Sequence, residues 1–174
     1  MRITRRSVAK GDHEFLLQLY ASTREAELTQ VPWTADQKRA FVEMQFAAQT
    51  QSYAASHPRA EHDILCVDQE PVGRLYLDRG PGRLHILDIT VAPPNRNAGI
   101  GSAVFKEVLA EADREGWPVS IYVESFGAQD PAERFFERLG FRRKSVSGFL
   151  VLLERPAAGS AAAARSQLPD PSDG

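Results

Sequence analysis

Cysteine and long apolar runs are what this 174-residue chain has least of. The single Cys66 excludes an intrachain disulfide, and its place in an apolar run indicates an inert core thiol rather than a catalytic one. No stretch of about 18 apolar residues occurs, so the sequence predicts no membrane span. Residues 1–6 are basic, but the apolar stretch of a secretory signal does not follow them. We therefore expect a cytoplasmic protein.

An excess of positive charge is also lacking. The chain has 21 Lys and Arg residues against 23 Asp and Glu, a formal net charge of −2. A nucleic-acid-binding domain would show a basic stripe, so we expect no nucleic-acid partner. His13, His57 and His62 have no neighbours at the spacing of metal ligands, and we predict no bound metal.

The sequence has enough apolar residues for one core, since 43% of it is hydrophobic. Up to about residue 155, strand and helix patterns alternate, which predicts a single α/β domain over residues 1–155. Residues 156–174 are rich in Ala and Pro and have too little apolar bulk to pack. That segment is predicted to be a flexible tail.

Local signals mark where the first helices begin. Asp12 is placed as the N-cap of a helix over residues 12–28, after a strand near residues 2–8. Thr34 and Gln37 have capping-box spacing for a second helix. The residues of that helix predicted to point inward are Phe41, Met44 and Ala48.

The later elements are mostly strands. Strands are predicted at residues 63–67, 71–78, 83–91 and 119–123, with a final hairpin about Gly148. Helices are predicted at residues 99–115 and 131–139. The strand–helix–strand unit from residue 83 to residue 123 implies parallel pairing of its two strands.

A glycine-containing loop follows the strand at 83–91. Pro93 and Pro94 end that strand because proline lacks a backbone donor, and Gly99-Ile100-Gly101 opens directly into the next helix. A helix N-terminus offers unpaired N–H groups, and glycine lets a phosphate approach them. Arg96 adds a cation. The sequence therefore predicts that this loop holds a diphosphate.

Two common phosphate motifs do not match this loop. A dinucleotide fingerprint needs a third glycine where Val104 stands, and a P-loop needs a lysine where Ser102 and Ala103 follow the glycines. Taken alone, G-x-G at a helix start is a weak signal. A tight strand-to-helix turn without a ligand is the alternative interpretation.

The flanking residues make the signal specific. D-I-T-V-A-P at residues 88–93, followed by R-x-x-G-x-G at 96–101, resembles the acetyl-CoA motif of the GNAT superfamily of N-acetyltransferases. A-E-R-F-F-E-R-L-G-F at residues 132–141 resembles that family's A-x-x-x-Y-E-x-x-G-F segment. The resemblance covers about residues 2–155. It implies a GNAT-like single domain, with a mixed central sheet of about seven strands, about four helices and a strand pair splayed at the cofactor site.

The resemblance also implies acetyl-CoA as the cofactor. Backbone N–H groups of the loop and the first helical turn would hold its pyrophosphate. The strand edge at residues 89–91 would pair with the pantetheine amides and polarise the thioester carbonyl. The cofactor-binding residues so implied are Ile89, Thr90, Val91, Arg96, Asn97, Ala98, Gly99, Ile100, Gly101, Ser102, Asp130 and Phe136.

Two of these positions depart from the family pattern. Phe136 stands where the family often has a tyrosine that protonates the leaving thiolate, and phenylalanine has no proton to donate. Asp130 stands where the family favours asparagine, after an apparent insertion at residues 127–129. An alternative therefore stays open, namely a catalytically silent acyl-CoA-binding module or sensor with the same fold.

Acyl transfer to an amine requires a group that takes a proton from it. Asp88, beside the expected thioester site, and Glu124, just past the next buried strand, are the candidate bases. A structural anchor is the alternative for Asp88, and a solvent-facing residue is the alternative for Glu124. Tyr122 is a candidate acid, with core packing as its alternative. His85 falls on the strand face opposite Asp88 and is interpreted as a satisfied strand histidine.

The predicted acceptor is a primary amine of a small molecule or peptide, attacked directly in a ternary complex. In this fold the first two helices wall the substrate site, and there the sequence has Glu25, Glu27 and Trp33. Together with Glu124 these residues would suit a cationic amine, on which the indole ring would stack. Simple solvation of an acidic helix face is the alternative. A homodimer is left open.

Overall fold

The computed structural model describes residues 1–125 and 130–160, so the insertion at 127–129 and the tail from residue 161 lie outside the described residues. The described elements are β1 (Ile3–Ser7), α1 (His13–Thr29), α2 (Ala35–Ser56), β2 (Glu61–Val67), β3 (Glu70–Gly80), β4 (Arg83–Val91), α3 (Ile100–Glu115), β5 (Val119–Glu124), α4 (Pro131–Arg138), β6 (Arg142–Ser147) and β7 (Leu150–Arg155). Short 3-10 turns lie at Lys10–Asp12 and Pro93–Asn95.

The strands form a mixed sheet in the order β1-β2-β3-β4-β5-β7-β6. Strands β4 and β5 pair in parallel, as the strand–helix–strand pattern predicted, whereas β1–β2, β2–β3, β5–β7 and β6–β7 are antiparallel. This arrangement confirms the predicted α/β class and the mixed sheet. The chain has two compact units. The N-terminal unit comprises Met1–Asp78 and Leu87–Val104, and the C-terminal unit comprises Arg79–Ile86 and the residues from Phe105 onward.

The core of the N-terminal unit lies between its two long helices and β2. Its buried members are Leu16, Leu17, Tyr20, Val42, Phe46, Ile64 and Cys66. The thiol of Cys66 is free and buried, as expected of a core residue. Burial of these side chains is the main favourable contribution that holds α1 and α2 on the strands.

The starts of α1 and α2 were both predicted correctly, but the caps differ: Asp12 is the N-cap residue of α1 without a side-chain capping bond, whereas Thr34 caps α2 through its side chain. Thr34 Oγ1 accepts a hydrogen bond from the Gln37 N–H (3.2 Å), and the Gln37 side chain accepts one from the Thr34 N–H (2.9 Å). The Asp12 carboxylate makes no capping bond to α1, because it accepts from Arg6 (2.7 Å) and from the Ala9 N–H (2.8 Å). The acidic residue therefore fixes the β1–α1 connection.

Helix α2 turns a different face inward than predicted. Its buried residues are Val42 and Phe46, one helical turn apart. The inward set predicted from the sequence was Phe41, Met44 and Ala48. That set was wrong, since Met44 is 61% exposed and Phe41 packs on Trp33 with ring centroids 5.2 Å apart.

Helix α3 buries the face that its sequence predicted. The residues at four-residue steps, each 2% exposed or less, are Ile100, Val104, Val108 and Ala112. In the C-terminal unit, the Phe136 ring of α4 packs edge-on against Phe105 and Phe141, with centroid distances of 5.4 Å in both cases. Strand β7 lies between β5 and β6.

Candidate functional site

The loop between β4 and α3 turns through two residues with positive φ. Asn97 has φ +62° and Gly99 has φ +79°, in the left-handed region that glycine adopts freely and asparagine tolerates. Helix α3 then begins at Ile100. The Ala103 N–H donates to the Gly99 carbonyl at 3.0 Å as the helical hydrogen bonds begin. The loop therefore delivers the chain directly into a helix N-terminus, as predicted.

The first turn of α3 fits an anion. The N–H groups of Ile100, Gly101 and Ser102 precede the first helical hydrogen bond, so no carbonyl of the same helix accepts from them. Among the described residues, chain neighbours and adjacent helix backbone apart, a Cβ built on Gly99 or Gly101 would have no heavy atom within 4 Å, so both positions border open space. Donors, the positive end of a helix dipole and open space are what a diphosphate requires.

Arg96 is held in place at this loop. Its Nε donates to the Val91 carbonyl at 3.1 Å, and one terminal nitrogen donates to Ser22 Oγ at 3.0 Å. The side chain is nevertheless exposed. A guanidinium tethered in this way keeps a positive charge beside the loop, with donors left for an anion. Ser22 was not singled out from the sequence, because it lies 74 residues away.

Asp88 lies in a polar cluster that the sequence did not reveal. The Arg74 Nε donates to Asp88 Oδ2 at 2.5 Å, and Arg74 also donates to Gln49 Oε1 at 2.7 Å. Thr90 Oγ1 donates to Asp88 Oδ1 at 2.8 Å. Because Arg74 is only 3% exposed, a proton on Asp88 would leave a buried guanidinium uncompensated. The geometry therefore favours the anchor role of Asp88 over the role of base.

Tyr53 of α2 also reaches β4. Its hydroxyl donates to the Leu87 carbonyl at 3.2 Å. Burial, with a smaller contribution from the charge of Asp88, raises the pKa of Tyr53 to about 12, so the phenol is neutral near pH 7. Tyr53 was not among the predicted site residues, because its position in a helix gave no sign that it contacts β4.

The candidates on β5 differ in exposure. Tyr122 is 53% exposed, so the core-packing alternative for it was wrong; its ring meets the ring of His85 edge-on, with centroids 5.6 Å apart. Glu124, the last residue of β5, is exposed. His85 is 6% exposed and its Nδ1 lies 2.7 Å from Ser120 Oγ, which confirms the satisfied strand histidine.

Asp130 and Phe136 have structural contacts in α4. Asp130 Oδ1 accepts from the Ala132 N–H at 2.9 Å and so caps the helix. Phe136 is 7% exposed within the aromatic cluster described above. Whether either residue also touches a cofactor stays a prediction.

Comparison with known proteins decides the family. Residues 17–141 match the model of the acetyltransferase (GNAT) family. The chain belongs to the GNAT family. No curated protein sequence matches it significantly.

Solved GNAT structures share the fold. The chain is similar to the PaiA N-acetyltransferase of Thermoplasma acidophilum in complex with coenzyme A, at 15% identity and TM-score 0.64 over 90% of this chain and 99% of that one. It is similar to the ribosomal-protein-S18-alanine N-acetyltransferase of Escherichia coli at 16% identity and TM-score 0.58. That alignment covers 92% of this chain and 98% of the other. It is similar to a GNAT family acetyltransferase of Elizabethkingia anophelis with acetyl-CoA bound, at 16% identity and TM-score 0.54. That alignment covers 88% of this chain and 97% of the other. These similarities confirm the predicted GNAT-like fold.

The predicted substrate residues of this GNAT protein lie on the surface of the N-terminal unit. Glu25 and Glu27 are exposed, and Glu27 forms an ion pair with Arg24 at 3.1 Å. Trp33 is 41% exposed above Phe41. Exposure leaves these side chains accessible to an acceptor, and it equally fits simple solvation.

Residues 1–125 and 130–160 show neither a metal-binding cluster nor a membrane-spanning helix. In that part of the chain, no three His, Cys, Asp or Glu side chains are grouped so that they would hold a metal ion. None of its helices combines the length and apolarity that a membrane crossing needs.

Proposed function

We propose that this GNAT protein is an N-acetyltransferase that moves an acetyl group from acetyl-CoA to a primary amine of a small molecule or peptide. The observation that carries the proposal is the open first turn of α3, with Arg96 tethered beside it. Its N–H groups and the guanidinium would hold the pyrophosphate. When bound, acetyl-CoA supplies the acetyl group as a thioester with a thiolate leaving group. Similar structures that contain coenzyme A or acetyl-CoA add support.

Glu124 is the residue we assign to take the proton from the attacking amine. Asp88 is held by Arg74 and Thr90, and the side chain of Glu124 is exposed to solvent at the end of β5. The exposed hydroxyl of Tyr122, two residues earlier, is the proton donor that replaces the missing tyrosine at Phe136. Both groups act in a ternary complex, in which the amine attacks directly.

A cationic amine is the acceptor we propose. The exposed carboxylates of Glu25 and Glu27 would attract it, and Trp33 would stack on it. We place the protein in the reducing cytoplasm because its single thiol, Cys66, is buried and free. A homodimer would be visible by light scattering. We propose no nucleic-acid partner, because the net charge of the chain is −2.

Calorimetry with coenzyme A tests the cofactor site. Gly101→Trp would place an indole beside the first turn of α3, where the pyrophosphate is proposed to bind, so we expect it to abolish binding while the circular dichroism spectrum stays unchanged. Gly11→Trp is the matched control, since a Cβ at Gly11 also meets no described residue within 4 Å beyond its chain neighbours. It should bind like the wild type. Equal affinity of the folded Gly101→Trp protein would contradict the assignment.

A thiol-release assay tests turnover. With acetyl-CoA and a panel of polyamines, aminoglycosides and lysine peptides, we expect release on at least one cationic amine. Glu124→Gln should lower kcat/KM by roughly 100-fold or more, and Glu115→Gln, on the exposed end of α3, should not. Coenzyme A binding without thiol release on any amine would instead favour the silent binding module.

A further inference from the structure

The N-terminal unit contains a concave surface, which we name the α1–α2 cleft. It has a volume of about 710 Å³ and is lined by residues of α1, α2, the β1–α1 connection and β2. Small-molecule sites typically have volumes of about 300–1,000 Å³. No residue between Leu87 and Ser102 lines the cleft, so it is not part of the proposed cofactor site.

The walls of the cleft are mainly apolar. Leu16 and Leu17 of α1 and Phe46 of α2 contribute side chains that are at most 6% exposed, and Ala47 adds a small exposed methyl group. Such walls favour a ligand that buries apolar surface. The small Ala47 side chain leaves room where a larger residue would fill the cleft.

One of the lining residues has a buried polar atom without a partner among the described residues. His62 lines the cleft, and its Nε2 is buried with no hydrogen-bond partner in the described part of the chain. The ring is held flat on Tyr76, with centroids 4.4 Å apart and an interplanar angle of 6°. Buried polar atoms are rarely left unpaired, so this nitrogen indicates a missing partner. Burial lowers the pKa of His62 to about 4, which keeps the ring neutral near pH 7.

The charges around the cleft do not select an ion. Lys10 and Glu43 line it with opposite signs, and Glu43 is already paired with Arg39 at 2.8 Å. His13 and His62 are the titratable rings that face it. An ionic ligand would lose its hydration against apolar walls without a dedicated counter-charge.

We infer that the α1–α2 cleft binds an uncharged, mostly apolar small molecule whose hydroxyl group hydrogen-bonds to His62 Nε2. A hydroxyl fits because it donates to one imidazole tautomer and accepts from the other. This site is additional to the acetyl-CoA site, and its ligand need not be acetylated. The inference therefore stands or falls independently of the proposed transferase activity.

Three aromatic probes that share a tolyl group test this inference with the full-length protein. In NMR titrations we expect p-cresol to bind saturably and to shift the ring signals of His62. Toluene, which lacks the hydroxyl, should bind about tenfold more weakly. p-Toluate, which carries a charge, should also bind more weakly than p-cresol. Absence of saturable p-cresol binding, equal affinity for toluene, or tightest binding of p-toluate would each overturn the inference.

Matched variants locate the site. Ala47→Trp should fill the cleft and abolish p-cresol binding, whereas Ala54→Trp, at an exposed position of α2 outside the cleft, should leave binding unchanged. His62→Phe should remove the preference for p-cresol over toluene. Unchanged binding to the Ala47→Trp protein would show that p-cresol binds elsewhere. The tryptophan pair keeps the test decisive if the His62 variant does not fold.

Discussion

Arg74 of β3 and Asp88 of β4 form an ion pair in which the Arg74 Nε donates to Asp88 Oδ2 at 2.5 Å. The guanidinium is 3% exposed and also lies over the Phe46 ring, 5.9 Å from its centroid. Arg74 thus links the β4 segment that precedes the β4–α3 loop to the core under α2. Asp88, a candidate base by sequence, is therefore the counter-charge of a buried arginine.

Removing Asp88 should be costly to stability. Asp88→Ala leaves the buried Arg74 without its counter-charge, and we expect the free energy of unfolding to fall by about 3 kcal/mol in urea titrations. Glu14→Ala removes one partner of the exposed pair with Arg39, which is 3.3 Å apart, and should change stability little. Equal effects of the two substitutions would contradict the anchor role.

Gly73 of β3 should not tolerate a side chain. A Cβ there would meet the Thr90 carbonyl oxygen far inside van der Waals contact and would lie 3.2 Å from the Val91 Cα. We expect Gly73→Ala to destabilise the protein by roughly 1–3 kcal/mol, since the close atoms belong to backbone. Thermal unfolding measures this. Gly11→Ala, where a Cβ meets nothing within 4 Å, is the control and should be nearly neutral.

Arg96 and Ser22 should affect coenzyme A binding to different degrees. We expect Arg96→Gln to weaken binding about tenfold, because a cation beside the phosphates is lost. Ser22→Ala should weaken it less, since the tether to Val91 O remains. Arg114→Gln, at the far end of α3, should bind normally. Calorimetry gives the three affinities, and a normal value for Arg96→Gln would count against the diphosphate site.

His62 should make stability depend on pH. Its pKa falls from 6.5 to about 4 on folding, chiefly through burial. Between these values the unfolded chain binds more protons, so stability is complete above about pH 6.5 and declines as the pH falls towards 4. Partial exposure of the ring limits the decline to roughly 2 kcal/mol.

The His62→Phe variant isolates this contribution. Its curve of unfolding free energy against pH should be flatter than the wild-type curve between about pH 6.5 and 4, and parallel to it above pH 7. Denaturant titrations at a series of pH values give both curves. Curves that stay parallel throughout would show that folding does not shift the His62 pKa.

Local signals predicted most of the fold. Strand β4 has the predicted bounds, Arg83–Val91, because its apolar run lies between the turn at Pro81-Gly82 and Pro93. The capping box at Thr34 needed only neighbouring residues. Features that depend on distant partners were missed. Asp12 is the N-cap residue of α1 as predicted, but the pairing of its carboxylate with Arg6 of β1 was not predicted.

In the candidate site, too, contiguous features were predicted from the sequence and contacts between distant residues were not. The loop at residues 96–101 was predictable because a helix N-terminus, two glycines and an arginine are contiguous in the sequence. The Arg74–Asp88 pair and the Ser22–Arg96 tether join residues 14 and 74 positions apart, and only the fold brings them together. A single arginine inside the apolar segment V-G-R-L-Y-L was the available signal for the first of them.

The position of β7 sets the order in which the C-terminal unit is completed during synthesis. Residues Val119–Glu124 of β5 pair one by one with Arg155–Leu150 of β7, so the strand made later fills the gap between β5 and β6. A nascent chain that has not yet released residue 155 from the ribosome leaves one edge of β5 without its hydrogen-bonding neighbour. Shortening the protein into β7 would therefore open the interior of the sheet rather than trim its border.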